Sequence, residues 1–503
     1  MMIQVFMVTL AFFFLCGTVL ALIAKRFLGR GFTEFVVGGY RVGGLLSAMT
    51  YAATTYSAFM MVGLVGLAYA TGVAALGFEL VYLAATIGIL SIIGPTIWVK
   101  ARERNWVSPS QMIGEMYSSK VLSSVIAALY LVSLTPYLAA QFKGIGEIFS
   151  AVGLGYETGV LFAVLANLVW IAVAGLWSIA LTDAFQGLWM IVASVLLFIW
   201  TLAYLLPSAG LDLVKAFDLL ANARTLDIQR SNLLGFTWSS SMFVGMSIPW
   251  IFFAITNPQV VQRLFIPKNS YAYKKMVKYF AIYGFTYTLL CVFLGLIFRS
   301  YVAVIQPEIE LSLAKARDGV TPAVLLRAPS ILSSLVFVGI IAASISTADS
   351  IVLSVGSAVT KDLYIAYKGN VNNRTALAVT YLVVNAMSLI AMAIALRRIA
   401  YVVELSVTSS ALLIPLAPIT IVGVYLEPKK KGSLYAVASL ALGLTVVVAA
   451  IVLHGPSRSL SQPIFCGMPA PLWTLVASSV PMLLLTLKPK HPTKGAKEGR
   501  EIP

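Results

Sequence analysis

Residues 343–350, which read ASISTADS, place hydroxyl groups and a carboxylate inside an apolar run that extends from about residue 331 to residue 359. An Asp at the depth of a bilayer costs about 2.5–3.5 kcal/mol on insertion scales, so a bound partner is expected to offset that cost. Ser346 precedes Asp349 by three residues and Ser350 by four. On a helix, this spacing puts the three side chains on one face.

The same stretch offers the ligands that a small hard cation requires. Ala343 precedes Ser346 by three residues, so its backbone carbonyl and the hydroxyls of Ser346 and Thr347 could meet one ion. Oxygen ligands suit hard cations, and the logic that holds for calcium and magnesium extends to sodium. The alternative is structural, because Ser and Thr in membrane helices also bond their own backbone or a neighbouring helix.

A second polar stretch, residues 50–59, reads TYAATTYSAF. Its four consecutive polar side chains point to all sides of a helix, and no single neighbour can satisfy them; they are Thr54, Thr55, Tyr56 and Ser57. This pattern predicts locally unwound backbone that lines a cavity and presents its carbonyls. The alternative is a helix interface rich in small residues.

Two further apolar runs carry charged residues. The helix predicted over about residues 121–152 contains Gln141, Lys143 and Glu147. Lys143 and Glu147 are four residues apart, so a buried salt bridge between them is the simplest expectation, and contact of Lys143 or Gln141 with a substrate is the alternative. Asp183 lies about one turn inside the predicted cytoplasmic edge of the sixth helix, where it either caps the interface or belongs to an inner cation path.

The seventh apolar run, about residues 237–260, contains Pro249 and Pro258. Proline inside a spanning run removes a backbone hydrogen bond, so this helix is predicted to be broken. The basic loop that follows, with Arg263 at its start, is predicted to face the cytoplasm.

The overall composition indicates which kind of secondary structure positions these residues. The chain has 503 residues, of which 60% are hydrophobic and 11% charged, and its mean hydropathy is +0.92. A soluble domain has a different balance. We count about thirteen apolar runs long enough to cross a hydrocarbon core of roughly 30 Å. The predicted fold is an all-α polytopic membrane protein rather than a β-barrel.

The charge distribution predicts the orientation. A net charge of +16 would suggest a nucleic-acid partner for a soluble protein, but here the basic residues cluster in every second loop. The positive-inside rule explains that pattern. We therefore predict no nucleic-acid partner, a multi-pass protein of the plasma membrane, an N-terminus outside and a C-terminus in the cytoplasm. The three cysteines lack metal-binding spacing and imply no disulfide framework.

The two broken helices suggest two related halves. Each starts a block of five helices, and because five is odd, the second block enters the membrane from the opposite face, as in the inverted repeats of secondary transporters. The predicted boundaries are residues 1–24 for a peripheral helix, 45–206 and 236–425 for the two repeats, 433–488 for two peripheral helices, and 489–503 for a basic cytoplasmic tail.

Several motifs together resemble the sodium/solute symporter family, which contains the sodium/proline, sodium/pantothenate and sodium/glucose carriers. The matching stretches cover nearly the whole chain; they are GGYRVGG, TTYSAFMMVGLVGLAYATG, YLAAQFKGIGEIF, LTDAFQGLWM, NPQVVQRLF and AASISTADSIVLSVGSAVTKDLY. The resemblance implies a leucine-transporter-type core of ten helices, one peripheral helix before it and two after it.

The resemblance also implies a set of ligands. The family's shared sodium site maps to the carbonyls of Ala53, Tyr56 and Ala343 and to the hydroxyls of Ser346 and Thr347. Members with a second sodium ion would use the positions of Asp183, Asp349 and Ser350. The chain departs from the sodium/proline carrier at Thr55, where that carrier has Asp, and at Ala254, where it has Tyr, so a carboxylate-assisted sodium step and the identity of the solute stay open.

The predicted function is sodium-coupled symport of a small organic solute, such as an amino acid or a small carboxylate, by a protein that functions as a monomer in the lipid bilayer. Candidate substrate-binding residues are Thr54, Thr55, Ser57, Gln141 and Lys143, and the resemblance to the sodium/proline carrier implies Trp250 as a further one. Proton coupling through Asp183 or Asp349 is the main alternative, and a transporter-derived solute sensor is a further one. An enzyme is not expected, because no set of nucleophile, base and orienting residue occurs in the sequence.

Overall fold

The computed structural model describes residues 2–27, 29, 31–222, 232–369 and 371–487. The predicted basic tail, residues 489–503, lies outside this part of the chain. Within the described residues the structure is helical, and the only β-type pairings are two isolated bridges, Val42 with Pro267 and Phe465 with Met468. Ten helices are long and apolar enough to cross a membrane, and two bent helix pairs raise that number to twelve. The chain is therefore a multi-pass membrane protein.

Fifteen main helices make up most of the described part of the chain. They are α1 (Met2–Ala24), α2 (Gly44–Thr55), α3 (Phe59–Thr71), α4 (Ala74–Ile92), α5 (Lys120–Ala151), α6 (Tyr156–Trp200), α7 (Ser240–Ile251), α8 (Pro258–Phe265), α9 (Ser270–Ile305), α10 (Ser330–Lys368), α11 (Asn373–Leu396), α12 (Val402–Ala411), α13 (Leu416–Leu426), α14 (Lys429–His454) and α15 (Ala470–Leu487). Shorter helices connect them at Phe32–Val37, Gly94–Arg104, Pro109–Met116, Leu213–Ala221, Glu310–Lys315, Val320–Leu325 and Pro456–Ser461.

The predicted break in the second spanning segment is present. α2 ends at Thr55, and Tyr56 takes an extended conformation with φ −92° and ψ 94°. α3 then begins with a π turn over Phe59–Leu64, and the two helices are bent by 48°. Because helical hydrogen bonding stops at this point, backbone polar groups at the break are available to other partners.

The seventh spanning segment is also broken, in three pieces. α7 ends at Ile251, a single turn covers Phe253–Thr256, and Asn257 is extended with φ −88° and ψ 118° before α8. A third break, which the sequence analysis did not predict, separates α12 from α13 with a bend of 47°. Interrupted helices therefore occur at three places in the bundle.

The long helix α6 has a local irregularity at Gly175, where a separate membrane-spanning stretch, Gly175–Ser208, begins. α6 is one element from Tyr156 to Trp200, but Gly175 adopts a left-handed conformation with φ +55°. A Cβ atom at this position would lie 2.4 Å from the backbone oxygen of Phe35. Glycine is required there because any other residue would be strained in this conformation and its Cβ atom would clash with Phe35.

α10 occupies the centre of the bundle. Every residue from Val336 to Ala358 on this helix is buried, and the helix packs against α1, α2, α5 and α6. A helix that is buried on all sides needs small side chains where neighbours come close and hydrogen-bond partners for its polar residues. The hydroxyls and the carboxylate of residues 343–350 therefore have to be satisfied by neighbouring helices or by a ligand.

The peripheral helices have the opposite character. α1, α14 and α15 expose large apolar side chains, including Leu434, Val452 and Leu487, each more than 70% accessible. In water such surfaces would be unfavourable, whereas in hydrocarbon they are solvated by lipid. These helices therefore form part of the lipid-facing surface.

An ionic cluster closes one end of the bundle. Glu427, just after α13, accepts from Arg104 at 2.6 Å and lies 2.6 Å from the ammonium of Lys100. The hydrogen bond from Arg104 lowers the pKa of Glu427 below its ordinary value, and Lys100 acts in the same direction. This contact connects the helix Gly94–Arg104 to the end of α13.

Candidate sodium site

The carbonyl oxygen of Ala53 is the point where α2 and α10 meet. It accepts from the Ser346 hydroxyl at 2.9 Å and from the Thr347 hydroxyl at 3.2 Å. The Thr347 hydroxyl also lies 3.2 Å from the carbonyl of Thr54. Residues almost 300 positions apart in the sequence are thus brought together at the last turn before the helix break.

Two further predicted ligands lie beside this point. The Ala343 carbonyl accepts from Ser346 at 3.1 Å. Tyr56 follows the last turn of α2, and its ring stacks on Phe280 and Tyr283 of α9 with centroid separations of 5.8 and 5.9 Å. Its phenol lies where a side chain at Gly284 would be, 2.2 Å from an added Cβ. The Tyr56 side chain is therefore fixed on α9.

The donor set fits a hard monovalent cation. Carbonyl and hydroxyl oxygens are the groups that converge here, and such oxygens are the ligands of hard cations in proteins. In the described part of the chain, no group of three or more His, Cys, Asp and Glu side chains comes together as a metal centre. The structure brings together oxygens of Ala53, Ala343, Ser346 and Thr347, and Tyr56 is the residue directly after α2.

The positions proposed for a second ion form a polar cluster next to the first. Asp183 accepts from Thr50 at 2.5 Å, and Asp349 accepts from the side-chain amide of Asn167 at 2.6 Å. The Ser350 hydroxyl shares a 2.8 Å hydrogen bond with Thr54. One oxygen of each carboxylate, Oδ1 of Asp183 and Oδ2 of Asp349, has no hydrogen-bond partner among the described residues.

Arg263 lies in the middle of this cluster, which corrects its predicted position in a cytoplasmic loop. It belongs to α8 and is completely buried. Its guanidinium donates to Ser350 at 2.6 Å and to Thr50 at 3.1 Å. α8 continues the broken seventh segment to Phe265, so the positive charge enters the bundle instead of remaining at its surface.

The candidate substrate-binding residues divide into two groups. At the helix break, Gln141 accepts from the Ala58 backbone N–H at 3.2 Å and Ser57 accepts from that of Phe59 at 3.1 Å. The Thr54 hydroxyl is hydrogen-bonded to that of Ser350, whereas the Thr55 hydroxyl is buried with no partner in the described part of the protein.

Trp250 is on α7 and borders the helix break between α2 and α3. Its ring contacts those of Phe59, Tyr82 and Phe253, with centroids 5.2, 5.3 and 4.8 Å apart. The indole N–H is buried and donates to none of the described residues. The structure therefore places Trp250 beside the break that holds Ser57, with an unused hydrogen-bond donor.

Lys143 has a different partner from the predicted one. Its ammonium forms an ion pair with Asp318, in the 3₁₀ turn Arg317–Gly319, and not with Glu147. Asp318 also accepts from the backbone N–H of Val402 at the start of α12, at 3.0 Å. The (i, i+4) spacing favoured Glu147, but a carboxylate from a distant loop lies closer.

Glu79 on α4 is a buried acidic residue that the sequence analysis did not single out. It is 2% exposed, and no hydrogen bond or ion pair joins its carboxylate to the described residues. The available signal was one acidic residue, without a basic residue at helical spacing, inside an apolar run.

A scan against protein-family models matches residues 35–439 to the "Sodium:solute symporter family". Among curated proteins, the chain is 31% identical to the sodium/pantothenate symporter of Escherichia coli (strain K12) over 176 residues, 35% of this chain and 36% of that one. It is 24% identical to the sodium/pantothenate symporter of Haemophilus influenzae over 358 residues, 71% of each chain. A sodium/proline symporter of Staphylococcus aureus is 26% identical over 194 residues, 38% of each chain.

Solved structures share the fold at low sequence identity. A Na+-coupled sialic acid symporter in a substrate-bound, outward-open state matches with a TM-score of 0.74 and 16% identity, over 96% of each chain. Mhp1 in an inward-facing conformation matches with a TM-score of 0.51 and 12% identity, over 89% of this chain and 91% of that one.

Proposed function

The chain belongs to the sodium:solute symporter family, and from this premise we propose that it is a secondary active transporter that couples inward movement of sodium to uptake of a small organic solute. The observation that carries the proposal is the convergence of the Ser346 and Thr347 hydroxyls on the Ala53 carbonyl. A sodium ion held by these oxygens would connect α2 directly to α10.

The proposed coupling follows from differential binding. Sodium stabilises the conformation in which α2 and α10 supply its ligands together, and this conformation has an outward-open solute cavity. An ion can shift a conformational equilibrium only by its difference in affinity for the two states. One charge that crosses 100 mV contributes about 2.3 kcal/mol, and a tenfold gradient adds about 1.4 kcal/mol. Together they are sufficient for solute accumulation of several hundred-fold.

The proposed architecture is a five-plus-five inverted repeat over residues 45–206 and 236–425. The breaks after Thr55 and at Asn257 support it, because they fall in the first segment of each proposed block. Solute and ion sites of such transporters lie where interrupted helices meet. The proposed protein acts as a monomer in the plasma membrane, with its N-terminus outside and its C-terminus in the cytoplasm.

The proposed second sodium position uses Asp183, Asp349 and Ser350, and its support is the two carboxylate oxygens that lack partners. The solute is an amino acid or a small carboxylate. The similarity to symporters of pantothenate and of proline supports this choice. Thr55, Ser57, Gln141 and Trp250 line the proposed solute cavity.

The decisive experiment reconstitutes the purified protein in liposomes. An imposed inward sodium gradient at constant pH is expected to drive concentrative uptake of a solute from a panel of amino acids, small acids and sugars. Uptake that follows a pH gradient without sodium would instead favour proton coupling, the second candidate. The buried carboxylates of Asp183 and Asp349 are the observation that supports this candidate.

A further inference from the structure

Glu79 presents a buried carboxylate next to the proposed solute cavity. It lies on α4, its side chain is almost fully buried, and no Lys or Arg of the described residues lies within ion-pair distance of it. An isolated carboxylate in an apolar environment is costly, so buried acids are normally paired with a positive group or hydrogen-bonded. The fold supplies neither within the described part of the chain.

The helix α4 places this carboxylate beside an aromatic group. Glu79 precedes Tyr82 by three residues on α4, and residues at this spacing lie on one face of a helix. The rings of Tyr82 and Tyr137 lie 5.3 and 6.5 Å from that of Trp250. Glu79 is therefore part of the same aromatic region that borders the break.

The polar atoms of this region are directed inward without partners. The hydroxyl of Tyr82 and the indole N–H of Trp250 are buried, and neither has a hydrogen-bond partner among the described residues. Buried polar groups are nearly always satisfied, so two unsatisfied donors in the same region as a buried carboxylate indicate that a ligand completes the group.

The surroundings favour an organic cation over a metal ion. A sodium ion requires several converging oxygens, and the group of carbonyls and hydroxyls at Ala53 provides them elsewhere. In the region of Glu79 the structure provides one carboxylate and the rings of Tyr82 and Trp250. A carboxylate near aromatic rings attracts ammonium groups through charge pairing and through cation–π attraction.

Lys143 does not offer a competing anion site, because Asp318 already neutralises it. Of Lys143 and Glu79, the residue with an uncompensated charge is therefore Glu79. On the basis of the proposed function, we propose that Glu79 binds the ammonium group of the transported solute, and that the solute class is amines and zwitterions such as amino acids. The acceptor end of such a solute would receive hydrogen bonds from the Trp250 indole and the Tyr82 hydroxyl.

The first test uses pairs of solutes in which carbon replaces the charged nitrogen. The pairs are L-proline with cyclopentanecarboxylate, L-alanine with isobutyrate, and choline with 3,3-dimethylbutanol. Melting temperatures of the purified full-length protein are measured with each solute, with and without sodium. We expect the nitrogen-containing member of at least one pair to raise the melting temperature. Its carbon analogue should need about tenfold higher concentration for the same increase.

The outcomes separate this inference from the proposed function. Equal stabilisation by carbon and nitrogen members would overturn the role of Glu79, as would a sodium-dependent shift to which no nitrogen-containing solute adds. In both cases the sodium site at Ala53 would still stand. A protein that sodium fails to stabilise would instead contradict the proposed function.

The second test changes the residue. Glu79→Gln keeps the size of the side chain and removes its charge, so we expect about tenfold or greater loss of affinity for the nitrogen-containing solute, with the sodium-induced shift retained. Glu147→Gln, on α5, is the matched control and should bind the solute like wild type. Glu79→Asp keeps the charge and should keep the preference for nitrogen over carbon. Undiminished affinity in Glu79→Gln, or loss of that preference in Glu79→Asp, would refute the inference.

Discussion

The ammonium of Lys143 and the carboxylate of Asp318 form an ion pair across 175 residues of sequence, and both side chains are at most 6% exposed. The neighbouring residue, Arg317, pairs with Glu404 on α12. One short turn is therefore attached to α5 and to α12 through adjacent residues of opposite charge.

The first prediction concerns the stability of this attachment. Lys143→Ala leaves the Asp318 carboxylate buried without its counter-ion, and loss of one partner of a buried pair typically costs about 3–5 kcal/mol. We expect a clearly lower melting temperature in detergent. Exchange of the two residues, Lys143→Asp with Asp318→Lys, should recover part of the loss.

Lys215→Ala provides the control for that measurement. Lys215 faces Asp212 at 3.9 Å, but both side chains are more than 60% exposed. Exposed pairs contribute about 0–1 kcal/mol. Equal melting temperatures for Lys143→Ala and Lys215→Ala would show that the buried pair contributes nothing.

The second prediction concerns the proposed sodium ligands. Replacement of Ser346 and Thr347 by Ala removes both hydroxyls that meet the Ala53 carbonyl, so sodium-stimulated uptake and the sodium-induced increase in melting temperature should both be lost. Ser354→Ala on the same helix removes a hydroxyl that bonds only its own backbone, at Ile351. This control should retain both responses, and normal uptake by the double variant would reject the site.

The third prediction distinguishes one sodium ion from two. If Asp183 helps to hold a second ion, Asp183→Asn should lower the Hill coefficient for sodium activation from about two to about one. Thr182→Ala is the neighbouring control, because that hydroxyl bonds the backbone of its own helix at Ser178. A Hill coefficient that is the same in Asp183→Asn and in the control would exclude Asp183 as an ion ligand.

The fourth prediction concerns pH and the ionic cluster at the end of α13. The pKa of Glu427 is lowered in the folded protein, chiefly by its hydrogen bond to Arg104. Its stabilising contribution is therefore complete above the ordinary value of 4.5 and is lost as the pH falls through the lower, folded value. Glu427→Gln should unfold more easily than wild type at pH 7, by about 0.5–1 kcal/mol for a partly exposed pair.

The measurement for Glu427 is the denaturation midpoint of both proteins between pH 7 and pH 4. The difference between them should be constant near neutrality and should shrink at the acidic end. A difference that grows as the pH falls would contradict the assigned direction of the pKa change.

Local chemistry was sufficient to predict the features that depend on neighbouring residues. Four polar residues in succession predicted the break near Tyr56, and Pro258 predicted the break in the seventh segment. The missed bend between α12 and α13 includes Pro415 and lies next to Pro418, so a signal was present there but was not used.

The features that were missed depend on contacts between distant segments. Lys143 was assigned to Glu147 because helical spacing is visible in a sequence, whereas the approach of the turn at Asp318 is set by the packing of the whole bundle. Arg263 was placed at the surface because basic residues usually mark cytoplasmic loops. Its burial depends on α8 continuing into the core, where Thr50 and Ser350 accept from it.

The burial of Arg263 has a consequence for charge balance. A guanidinium retains its proton under all physiological conditions, so this helix bundle contains a permanent positive charge beside Asp183 and Asp349. With both acids ionised, one positive and two negative charges leave the cluster with a single net negative charge. One monovalent ion bound to Asp183 and Asp349 would make this cluster electroneutral. Two ions bound to the same two carboxylates would leave excess positive charge in a low-dielectric interior. Arg263 therefore limits this cluster to one cation at a time.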